Sequence, residues 1–162
     1  MNVNAATAEP HLLFLIRRFI LALFALGLVG ISVELIVLRH YEDSWQLVPL
    51  FLLGLALAIV IWHLFDKSAA TIHGLRMIAV FFVITGVTGI VLHYRANLEF
   101  QLDMDSSQHG WPLFFKVIHA QAPPALAPGA MAQLGLLGWL YTFRHPAISR
   151  EGTLAPTSGE RT

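Results

Sequence analysis

The stretch Phe19–Leu38, FILALFALGLVGISVELIVL, is twenty residues long and contains a single ionisable group, Glu34. A helix needs about 20 apolar residues to cross the hydrocarbon core of a bilayer, so this run has the length of a span. It is too long for a signal peptide, and no small-residue cleavage site follows it. Placing a carboxylate near the centre of a membrane helix costs on the order of 3 kcal/mol, so Glu34 is expected to face a partner or a cavity unless it snorkels past Leu38 to the headgroups.

The rest of the chain matches that solvent. Of its 162 residues 56% are hydrophobic and 12% charged, and the mean hydropathy is +0.66. Such a balance excludes an ordinary soluble domain. Ten basic residues offset ten acidic ones without a basic block, which gives no reason to expect nucleic acid as a partner. With no cysteine, thiol catalysis, disulfides and thiolate metal sites are all excluded.

Working outward, residues 1–10 read as a short polar cytoplasmic tail and 11–143 as the membrane domain. Its spans are expected at about 12–38, 45–65, 72–93 and 125–143. Trp45 and Trp62 mark the two interfaces of the second span. Between the third and fourth lies an acidic connector, 94–124, holding Glu99, Asp103 and Asp105. Within it, the amphipathic segment Trp111–His119 is too short to span and is expected at the membrane surface or as a shallow re-entrant piece. The tail 144–162, with Gly, Pro, Ser and Thr between charges, is expected to be disordered. The fold class is therefore all-α: a polytopic four-helix transmembrane bundle with an interfacial segment between helices three and four.

Counting basic residues orients it. Arg17, Arg18, Lys67, Arg76, Arg144, Arg150 and Arg161 fall on one side, and Arg39, Arg95 and Lys116 on the other. The positive-inside bias puts both termini in the cytoplasm of an inner or plasma membrane, and Glu34 in the outer half.

Spacing then links the first and third spans. Gly27-x2-Gly30-x3-Glu34 matches Gly86-x2-Gly89-x3-His93, and each set falls on one helical face. Glu34 lies 16 residues beyond Arg18 and His93 lies 17 beyond Arg76, so a rise of about 1.5 Å per residue gives them similar depth. The expectation is a glycine-lined approach of helices one and three, with Glu34, His93 and Gln133 of helix four around an outward polar pocket. Gly135 and Gly138 are further candidate packing positions.

The eight histidines raise metal or haem chemistry. His40, His93, His109 and His119 lie on the outer side beside carboxylates and are the candidate metal ligands, yet no His-x3-His, His-Glu-x2-His or Glu-x2-His motif occurs. By depth, His40 would pair with His93 and His63 with His145 if a haem were held between two imidazoles. No phosphate loop, nucleophile elbow or calcium loop is present, so the sequence favours a non-enzymatic protein. Its expected partners are the bilayer and other membrane subunits or a second copy of itself. The alternative is a transporter-like or redox protein whose outer pocket takes a proton, a divalent metal ion, haem or a small solute.

Overall fold

A computed structural model describes residues 3–120 and 126–148, with side chains described from His11 onward. The described elements are α1 (Val3–Val37), α2 (Ser44–Phe65), α3 (Ala69–Met104), α4 (Gly110–Ile118) and α5 (Leu126–Thr142), with no strand among the described residues. Three helices are long and apolar enough to cross a membrane, over His11–Val37, Ser44–Phe65 and Ala69–Met104. α5 has 17 residues, with Pro128 in its first turn, and follows the segment 121–125, which lies outside the described residues.

Two elements run further than their apolar stretches. α1 is a single helix of 35 residues, so most of the N-terminal tail is helical. α3 is 36 residues long and passes His93 without a break, carrying the first part of the acidic connector as helix to Met104. At about 1.5 Å per residue it is close to 54 Å long, well beyond a hydrocarbon core of about 30 Å. α4 packs back on this projecting end. Val117 is fully buried, Tyr94 meets Phe114 at 6.3 Å between ring centres, and the Asn97 amide donates to the Val117 carbonyl at 3.4 Å.

α5 packs on α3 and on α1, and α2 packs on α1 and α3; α1 and α3 have no close backbone approach among the described residues. The four long helices thus form a ring with α1 and α3 on a diagonal, meeting only through core side chains such as Phe24 and Phe82, whose rings are 6.3 Å apart. The expected α1–α3 approach is therefore replaced by an α3–α5 seam, because helical spacing identifies a glycine face but not its partner. A Cβ on Gly86 would lie 2.6 Å from the Pro128 carbonyl oxygen, and one on Gly135 would lie 2.6 Å from that of Ala79. Gly89 sits under the Pro128 ring and Gly138 against Ala79 and Phe24. Gly27 packs under Leu134 of α5, whereas Gly30 faces open space.

The core between the helices is aliphatic and aromatic: Leu28, Leu53, Ala56, Ile72, Phe82 and Met131 are all buried. The chain beyond α5 does not leave the bundle at once. Residues 146–148 form a further helical turn, and Ala147 and Ile148 pack against the core. The rest of the tail expected to be disordered lies outside the described residues.

Candidate functional site

The bundle has two poles, one at the 66–68 turn and one at the 38–43 turn, and each brings two histidines together through the same local device. α1 ends in a Schellman motif: the Arg39 N–H donates to Ile36 O at 3.0 Å and the His40 N–H to Leu35 O at 2.8 Å. This places Arg39 in the left-handed region at φ 52°, where a side chain costs on the order of 1 kcal/mol, and turns His40 back towards α3. α5 ends similarly, with Arg144 at φ 46° and His145 turned back towards α2. Each Arg-His dipeptide delivers its imidazole to a histidine on a helix long and apolar enough to cross a membrane. The His145 ring lies 6.0 Å from that of His63, and the His40 ring 6.2 Å from that of His93.

At the 66–68 pole the groups are buried and wired. His63 is 2% exposed, and its Nδ1 and Nε2 lie 2.8 Å from Thr71 Oγ1 and 2.6 Å from the Tyr141 hydroxyl. Thr71 Oγ1 also lies 2.9 Å from Ser68 O and 3.0 Å from Asp66 O, so its one hydrogen goes to a carbonyl. It must then accept from His63, which fixes the Nδ1–H tautomer and leaves Nε2 to accept from the Tyr141 O–H. The result is a directed chain, Tyr141 to His63 to Thr71 to the α2–α3 turn. With both ring nitrogens of His63 committed, neither has a lone pair for iron in this arrangement, so a haem between His63 and His145 does not fit.

Around this chain two arginines cap the C-terminus of α5. Arg17 donates to the carbonyls of Tyr141 at 2.8 Å, Phe143 at 3.1 Å and Arg144 at 3.1 Å, and Arg76 donates to that of Thr142 at 3.0 Å. These are the orphan carbonyls a helix end presents, and guanidinium charge also opposes the negative end of the helix dipole. Burial, with Arg17 and His63 adding to it, pushes the His145 imidazole down to about 4, so it is neutral at physiological pH.

At the 38–43 pole the histidines are only half-buried. The His40 and His93 rings are nearly parallel, with 19° between their planes, and burial, together with His93, holds His40 below its ordinary value. Glu34 and Gln133, expected beside His93, are both exposed, and no hydrogen bond joins either to His93 among the described residues. His109 and His119 turn to their own backbone, with Nδ1 2.8 Å from Ser107 O and 2.9 Å from Phe115 O. In the acidic connector the Ser107 hydroxyl and N–H donate to Asp105 at 2.6 and 3.0 Å and hold its carboxyl below the usual range. No group of three or more His, Asp or Glu side chains that could hold a metal ion occurs among the described residues.

The sequence alone did not single out Thr71, Tyr141, Arg17 or Arg76 as partners of the histidines or of α5. The signal present was one of depth: each lies at an end of an apolar run, level with His63. Comparison with protein-family models, curated proteins and solved structures gives no match for this chain.

Proposed function

We propose that the chain is a four-span protein, with both termini cytoplasmic, that acts as a non-catalytic subunit or accessory component of a larger membrane assembly. The observation that carries this reading is a groove of about 330 Å³ on the outward face of α2 and α3, lined by Phe51, Leu55, Ile59, Gly74, Met77 and Phe81. It lies mid-span and its lining is wholly apolar, so its occupant is a lipid chain or a membrane helix. A recess floored by glycine suits the side chains of a neighbouring helix, because association within lipid depends on close packing. The polar side chains at the 66–68 pole are engaged in holding helix ends, which fits a scaffold better than a catalyst.

A photo-crosslinking residue at Phe51, Leu55 or Met77, compared with one at Leu23 or Leu26 on α1, tests this in native membranes. The reading expects one protein adduct of defined mass from the groove positions and none of that mass from α1. Lipid adducts alone from all five positions overturn it. The transporter-like or redox alternative rests on the other pole, where the His40–His93 pair stands without Glu34 or Gln133 bonded to it.

A further inference from the structure

The two histidine pairs differ in what their nitrogens do. His63 has both occupied, whereas no hydrogen bond engages a ring nitrogen of His40 or His93 among the described residues. A neutral imidazole has one donor and one acceptor. Here two of them lie side by side, with ring centres 6.2 Å apart and 19° between their planes. A metal–nitrogen bond of about 2.0–2.1 Å on each side, with each nitrogen about 1.1 Å from its ring centre, spaces two opposed imidazoles by roughly 6 Å.

We propose that His40 and His93 form a two-imidazole site for one nitrogen-preferring transition-metal ion at the 38–43 pole. Water completes the coordination sphere, because the described residues supply no third ligand. Among divalent ions Cu2+ binds such a donor set most tightly, by the Irving–Williams order. His40 comes from the cap of α1 and His93 from the C-terminal third of α3, so the ion would cross-link the diagonal helices, which share no close backbone approach among the described residues. The site stands or falls separately from the subunit reading, since it uses neither the groove nor its occupant.

The test uses tag-free full-length protein in lipid nanodiscs, stripped with chelator and titrated with Cu2+, followed by electron paramagnetic resonance and calorimetry. One ion per chain is expected, with nitrogen superhyperfine structure from two imidazoles. His40→Gln and His93→Gln should each weaken binding at least about tenfold, or about 1.4 kcal/mol, and remove one nitrogen from the spectrum. The double variant His109→Gln/His119→Gln should bind as the wild type does. Equal affinity in wild type and in both single variants overturns the proposal. So does a wild-type spectrum with one nitrogen or none, a result independent of whether any variant folds.

Discussion

The two poles of this bundle use the same Arg-His device for opposite ends. Arg144-His145 and Arg39-His40 each place an arginine in the left-handed region and fold a histidine back on another helix. At the first pole the receiving histidine is buried and bonded at both nitrogens, and Arg17 and Arg76 hold the end of α5, which carries its partner Tyr141. At the second the receiving histidine is half-buried, and no hydrogen bond engages its nitrogens among the described residues. The difference teaches that proximity of two imidazoles is not itself a site. Whether their lone pairs are spent on the fold decides whether they can act on anything else.

The comparison breaks most readily at Arg17. Replacing it with alanine strands three carbonyls of the α5 end, and charge-assisted bonds are worth about 1.5–3 kcal/mol each when buried. Because two of the three are exposed, the expected loss is about 2–3 kcal/mol in total, measured by denaturant titration in mixed micelles. Tyr141→Phe removes the donor to His63 Nε2 and should cost about 1–2 kcal/mol, the penalty for an unpaired buried acceptor. No change in either variant would reduce the wired pole to an accident of packing.

A pH series sharpens the same contrast. His145 is held at about 4, against 6.5 for the free side chain, so between those values the unfolded chain binds more protons than the folded one. This stabilisation is fully present above about pH 6.5 and is lost progressively as pH falls towards 4. His145→Asn should flatten that slope in thermal unfolding curves, and an unchanged slope would assign the acid sensitivity elsewhere. At the other pole the effects should be smaller. Arg39→Gly relieves a left-handed residue and should raise stability by about 0.5–1 kcal/mol, and His40→Gln should change it by no more than about 0.5 kcal/mol without metal.

Much of this arrangement was legible in the residues. Apolar runs such as Phe19–Leu38 and Trp45–Phe65 announce helices of membrane length because lipid leaves the backbone no other partner. Depth also put His40 with His93 and His63 with His145 as the pairs a haem would need, and the rings of each pair lie 6.2 and 6.0 Å apart. Azimuth was not legible. The glycines of the first and third spans suggested that those helices meet, yet Gly86 and Gly89 accept α5, while Glu34 and Gln133 point outward. The end of α3 was hidden for another reason. Beyond His93 the helix leaves the apolar run, so Tyr94–Met104 has no hydrophobic run to mark it and is held by α4 instead.

The most direct test of the contrast is the state of each histidine ring, read by nitrogen-15 NMR of histidine-labelled protein in lipid at neutral pH without metal. The account predicts that His63 is held in a single tautomer, protonated at Nδ1, while His40 and His93 exchange between tautomers. Tautomeric exchange at His63, or a single locked tautomer at both His40 and His93, would contradict it.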